Sequence, residues 1–191
     1  MNIYQFLELV STVFSLFYLI FLIKEKKVCW IFGILASSLS IIILAHSTLY
    51  AEAILALYYV VIGFYGWWHW NKKNPDEIKI QTWGIINHVW AISIGIVLSL
   101  VLAYTLSKFT NSKNPFADSF ITIFSFIASY KEAKKVLSGW IYWFFINGFS
   151  VGLYFQRSLN YYAFLAIIYT LMTVWGYLDW YKKIATEKSS L

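Results

Sequence analysis

Short charged connections divide the chain into seven apolar runs, each close to the length a helix needs to cross a bilayer. A spanning helix takes about 20 mostly apolar residues, within roughly 17–25. The runs are Tyr4–Ile23, Val28–Ala45, Tyr50–Trp70, Trp83–Leu106, Pro115–Tyr130, Gly139–Phe155 and Tyr161–Trp180. The fifth is free of charge only from Ser119 to Tyr130, so it is short or tilted. Hydrocarbon offers a backbone no water to bond, so runs of this length are expected to be helical. The composition agrees, with 60% hydrophobic and 13% charged residues, whereas a soluble globular chain has about 45–50% and about 25%. The expected fold is an all-α membrane protein, one domain over residues 1–191, with seven transmembrane helices. The first run starts beside Met1, without a basic leader or a small-residue cleavage site, and reads as a retained helix.

The net charge of +6 is concentrated in the connections. The first, third and fifth loops and the C-terminal tail hold twelve Lys, among them Lys24, Lys26, Lys27, Lys131, Lys134 and Lys135. The opposite side holds three basic residues, Lys108, Lys113 and Arg157. Basic loops stay in the cytoplasm, so the tail is expected inside and Met1 outside. That split requires an odd number of helices, which supports seven independently. The basic balance is a topology signal and implies no nucleic-acid partner; membrane lipid is the expected surround. Cys29 is the one cysteine, so there is no internal disulfide, and no Cys/His cluster has metal-ligand spacing. No metal, cofactor or catalytic group is expected. Trp30, Trp67, Trp68, Trp70, Trp83, Trp140 and Trp180 fall near span ends, where interfacial tryptophans gather.

The chain also matches itself without gaps at an offset of 110 residues. Thr12, Phe14 and Ser15 fall on Thr122, Phe124 and Ser125, and Trp30-Ile31 falls on Trp140-Ile141. Ala53, Leu55, Ala56 and Tyr59 fall on Ala163, Leu165, Ala166 and Tyr169. Gly66, Trp70, Lys72 and Lys73 fall on Gly176, Trp180, Lys182 and Lys183, so both third helices end in the same Gly-x-x-x-Trp-x-Lys-Lys run. Residues 1–73 and 115–183 thus form two three-helix repeats, and residues 83–107 a linker helix between them. One intervening helix leaves the triplets in the same orientation, a 3+1+3 parallel repeat. Parallel repeats are a transporter design with the substrate at the repeat interface near the midplane. The alternatives are a duplicated scaffold, a seven-helix sensor or a membrane-embedded enzyme. An enzyme would need converging acids, bases or metal ligands, and the sequence offers none.

Polar groups within spans are costly and mark candidate sites. Trp140, Trp143 and Asn147 follow an i, i+3, i+7 spacing that lines one helix face. Two indoles and an amide can stack a planar ring and hydrogen-bond its substituent, and aromatic faces attract organic cations. The competing reading is a packing stripe with one belt tryptophan. Glu52, at the start of the third span, is either a headgroup-level carboxylate or a partner or gate for a cationic substrate. Asn87 and His88 begin the fourth span and read as interfacial, as do His46 and His69 at other span ends. Asp179 reads as a solvated charge at the end of the last span.

Together these residues resemble the PnuC family of vitamin transporters. The W-x-x-W-x-x-x-N/D motif stands as Trp140, Trp143 and Asn147, and L-Y-A-D/E as Leu49-Tyr50-Ala51-Glu52. The Y-G-W-x-x-W ending stands as Tyr65-Gly66-Trp67-Trp68-His69-Trp70. The resemblance covers nearly the whole chain. It implies a full-length relative of the SWEET-type transporters, assembled as a homotrimer in the bacterial inner membrane. It also implies facilitated diffusion without a coupling ion, with the substrate trapped inside by a cytoplasmic kinase. The implied cargo is nicotinamide riboside, or else thiamine or riboflavin, held by Trp143 and Asn147 first, then Trp140 and Glu52. One departure is Ala56, where family members often carry Gln.

Overall fold

The computed structural model describes residues 3–46, 50–72, 79–109, 114–156 and 160–189. Among them are seven helices: α1 (Ile3–Ile23), α2 (Cys29–His46), α3 (Tyr50–Trp70), α4 (Ile85–Phe109), α5 (Pro115–Ala133), α6 (Gly139–Gln156) and α7 (Asn160–Ser189). The one extended pairing among the described residues is an isolated parallel bridge between Gln81 and Val136. The protein is an all-α membrane protein with seven helices. By length and composition α1, α2, α4 and the Ala163–Glu187 stretch of α7 can each cross a bilayer. α5 carries Asp118, Lys131 and Glu132, while α6 is aromatic rather than aliphatic and includes Asn147 and Gln156. α3 likewise ends in the aromatic run Tyr65–Trp70.

The helices depart from the apolar runs mainly at their ends. α5 continues through Lys131 and Glu132 to Ala133, so two residues expected in a loop belong to its last turn. α4 starts at Ile85, leaving Trp83 in the extended segment before it. α7 continues nine residues past Trp180 to Ser189.

The chain folds as two compact units, Met1–Lys79 and Ile80–Leu191. In the first, α2 packs against both α1 and α3. Ser11 donates to the Ala36 carbonyl at 3.0 Å and lies 3.1 Å from the Ser40 hydroxyl, which ties α1 to α2 with groups lipid cannot satisfy. In the second unit α4 packs on α5, α5 on α6, and α6 on α7. The buried residues of α4 are Gly95, Ser99 and Ala103, spaced four apart. A Cβ at Gly95 would lie 2.9 Å from Phe124 and 3.0 Å from Ile127, so the small stripe is what lets α5 approach.

Within each unit the same turn recurs at the 110-residue offset. After α1, Lys26 N–H donates to the Phe21 carbonyl at 2.9 Å and Glu25 N–H to Leu22 at 3.0 Å. After α5, Val136 N–H donates to Lys131 at 2.8 Å and Lys135 N–H to Glu132 at 2.9 Å. Both are Schellman caps, in which the residue past the helix end turns left-handed to satisfy the last carbonyls. Glu25 and Lys135 adopt that conformation, with φ of 53° and 52°. The cap then feeds straight into α2 or α6.

The tryptophans correct one expectation. Trp30, Trp70, Trp140 and Trp180 are buried, between 0% and 5% exposed, and form no interfacial belt. The reason is the glycine four residues before the second indole. A Cβ at Gly66 would sit 2.4 Å from the Trp30 ring, and one at Gly176 would sit 2.6 Å from Trp140. Only glycine leaves that notch, and the indole fills it. Trp70 then meets Trp30 edge to face at 5.5 Å and 88°, and Trp180 meets Trp140 at 5.3 Å and 89°. Such pairs contribute about 0.5–1.5 kcal/mol beyond the area they bury. Trp68, by contrast, is 61% exposed and fits an interfacial role.

Candidate functional site

Trp140, Trp143 and Asn147 lie on α6 in three different situations. Trp140 is 1% exposed and enclosed between Gly176 and Trp180, in the position Trp30 holds in the first unit. Trp143 is half-buried and packs on the cluster of Phe124, Ala128 and Ile146, together with Tyr142, Ile121 and Ile127. Its indole Nε1 is buried without a hydrogen-bond partner among the described residues. The same holds for Trp30 and Trp140, so an idle indole donor alone does not mark a site. Asn147 is half-buried one turn on from Trp143. Its amide makes no hydrogen bond to the described residues, although Ser150 beside it is satisfied by the Ile146 carbonyl at 2.8 Å. An idle amide next to an aromatic wall can receive a planar ligand with a polar substituent.

Glu52 falls in the first turn of α3, but its side chain and Leu49 lie outside the described residues. Ala56, one turn further, is buried at 4% exposure, as is its counterpart Ala166 at 5%. His69 is buried with its ring stacked on Tyr65 at 5.9 Å and 5°. His46 is exposed and stacks on Tyr4 at 3.6 Å. Asp179 pairs with Lys183 at 2.7 Å across one turn of α7, which is an ordinary helix-surface ion pair.

A second cluster surrounds the end of α5 and was not legible as a site. Lys131 is fully buried. Its Nζ lies 3.6 Å from the centroid of the Trp83 ring and 4.3 Å from that of Tyr142, with no hydrogen-bond partner among the described residues. His88, in the first turn of α4, lies 5.9 Å from each of those rings and places Nδ1 3.2 Å from the Tyr142 hydroxyl. Trp83 is brought there by the backbone: Gln81 N–H donates to Lys135 at 2.8 Å and Leu137 N–H to Gln81 at 2.9 Å. One signal was present in the sequence. The 110-residue offset sets Lys131 against Phe21, a charge at a position that is aromatic in the other repeat. His88 is therefore part of an aromatic cluster as well as near a helix end.

Similar proteins share this architecture. The solved structure of a vitamin B3 transporter, PnuC, superposes with a TM-score of 0.77 over 93% of this chain and 81% of that one, at 21% identity. The nicotinamide riboside transporter PnuC of Escherichia coli is 25% identical over 97% of this chain and 89% of its own length. The riboflavin/roseoflavin transporter RibM of Streptomyces davaonensis is 26% identical over 64% of this chain, an alignment spanning 60% of that relative. Residues 5–182 match the family model described as nicotinamide mononucleotide transporter, and the chain accordingly belongs to that family.

Proposed function

We propose that this protein carries nicotinamide riboside across the bacterial inner membrane by facilitated diffusion, and that it catalyses no reaction itself. The observation that carries the reading is the pairing on one face of α6 of a half-buried Trp143 with Asn147, whose amide bonds none of the described residues. A cationic aromatic ring can stack on the indole while its polar substituents bond the amide. The full-length likeness to the Escherichia coli nicotinamide riboside transporter supports this cargo. Riboflavin is the second reading, supported by the Streptomyces relative; thiamine, also a cationic ring, is the third. Trp140 backs the site from its glycine notch, and Glu52, whose side chain lies outside the described residues, is the remaining candidate for contact with the cargo.

The rest of the proposal follows the repeat. Residues 1–73 and 115–183 act as the two three-helix repeats of a 3+1+3 plan, with residues 83–107 as the linker helix. The protein works as a homotrimer with Met1 outside and the tail in the cytoplasm. Phosphorylation by a cytoplasmic kinase holds the vitamin inside and gives a passive carrier its direction.

Equilibrium binding of nicotinamide riboside, thiamine and riboflavin to the purified protein tests this. Nicotinamide riboside should bind tightest. Trp143→Ala removes a stacked face worth roughly 0.5–2 kcal/mol, and Asn147→Ala leaves a ligand group unsatisfied at about 1–3 kcal/mol. Each should weaken binding between several-fold and about a hundredfold, at about 1.4 kcal/mol per factor of ten. Trp67→Ala, on α3, should matter less. If Asn147→Ala binds the preferred vitamin like the parent, the α6 stripe is packing and the site lies elsewhere.

A further inference from the structure

Lys131 is held in a way that suits its surroundings poorly. An ammonium carries three N–H donors, and a buried donor without an acceptor is costly. Here the ammonium meets two aromatic faces, at 3.6 and 4.3 Å from their centroids, and no hydrogen-bond acceptor among the described residues. A place where a cation meets aromatic faces and its N–H groups reach no acceptor matches a cation that has no N–H at all, such as a quaternary aromatic nitrogen, better than it matches lysine. The rings that build it are reachable, because Trp83, Tyr142 and His88 are each only half-buried.

The first unit underlines the point. At the offset positions Phe21 stacks on Phe32, with centroids 5.4 Å apart and planes at 24°. Plain aromatic packing therefore suffices to close this kind of turn. The second unit instead encloses a cation, and recruits Trp83 from the segment before α4 to cover it. Lysine has a flexible four-carbon stem and sits in the last turn of α5, so its head can leave the rings for water.

The geometry points to Trp83, Tyr142 and His88 as a second binding station for a quaternary aromatic cation, occupied between cargoes by the tethered ammonium of Lys131. The station rests on the reading above that the cargo is a cationic vitamin. Lysine keeps the cage filled and resists a cation that cannot displace it; a cargo ring with its fixed charge takes the same place between Trp83 and Tyr142.

The test uses the full-length protein and two small probes, 1-methylnicotinamide, which is a quaternary pyridinium, and its neutral parent nicotinamide. Equilibrium binding is measured for the parent, Lys131→Ala, Lys131→Met and Trp83→Leu. Lys131→Ala empties the cage and removes the competing charge, so it should bind 1-methylnicotinamide about tenfold tighter. Nicotinamide should change less than about twofold, since it lacks the charge that the rings recognise. Lys131→Met keeps the cage filled and should stay near the parent. Trp83→Leu should weaken the cation several-fold. Unchanged cation binding in Lys131→Ala, or equal tightening of both probes, overturns the station. Should Lys131→Ala fail to fold, Trp83→Leu decides: parent-like cation binding overturns it as well. The two sites separate cleanly. Loss of vitamin binding in Asn147→Ala with silent cage variants refutes the station alone, whereas the reverse pattern refutes the α6 site and leaves the station standing.

Discussion

At the α1–α2 turn Phe21 lies against Phe32, while at the α5–α6 turn the corresponding positions hold Lys131 and Tyr142. Around them the backbone cap and the buried tryptophan pair recur. The Schellman bonds match within about 0.1 Å from one turn to the other. The left-handed residues differ by one degree in φ, and the buried tryptophan pairs by 0.2 Å in separation. What recurs is the set of contacts that sets one helix on the next. What differs is the content of the space beneath the turn. The joints that recur each depend on a geometry that tolerates little change, whereas the positions beneath them differ between the two units.

That contrast can be broken most sharply at the shared joints. Trp30→Ala and Trp140→Ala each empty a fully enclosed indole site and should cost about 3–5 kcal/mol. Thermal unfolding in detergent should show similar large losses for both. If Trp140→Ala is mild while Trp30→Ala is severe, the indoles are not equivalent and Trp140 is free to face cargo. Either outcome also shows why Trp140→Ala is a poor probe of binding by itself.

A smaller effect is expected where the units differ. Lys131→Phe copies the first turn into the second. Replacing a buried charge by an apolar group of similar reach is often neutral or stabilising. Its unfolding temperature should therefore equal or exceed that of the parent, even though a buried, well-contacted residue has been changed. A marked loss of stability would mean that the lysine is structural and has no need to move.

The smallest effect belongs to the caps. Glu25→Gly and Lys135→Gly relieve a left-handed residue of its Cβ, a strain of roughly 1–2 kcal/mol, offset in part by the added freedom of an unfolded glycine. Each should raise stability by no more than about 1 kcal/mol, and by similar amounts. Unequal responses would show that charge at one turn, and not backbone alone, sets its stability.

How much of this was legible in the sequence depends on which force fixed it. Helix number and order follow from apolar length, which hydrocarbon enforces strongly, and all seven helices lie where the runs fall. The repeat at 110 residues pointed to the Gly-x-x-x-Trp pairs, but not to their packing. The tryptophans near span ends read as interfacial because composition cannot reveal a notch that a glycine on another helix provides. Lys131 read as a loop charge for a related reason: nothing local says that a lysine after Tyr130 is covered, since its cover comes from Trp83, a residue 48 positions earlier. The Trp143 and Asn147 stripe was visible from helical spacing. Which of its members are half-buried and which is enclosed needed neighbours on α5 and α7.

The length of α7 has a practical outcome. Thirty residues of helix extend about 45 Å, against a hydrocarbon layer about 30 Å thick. Roughly three turns, about 15 Å, exceed that layer, and the charged stretch past Trp180, with Lys182, Lys183, Glu187 and Lys188, makes the helix end a stiff mast. A soluble helical domain spliced in phase onto that mast would inherit its direction without a floppy joint. The protein thus carries its own mount for a rigid marker that reports how its last helix tilts as cargo passes.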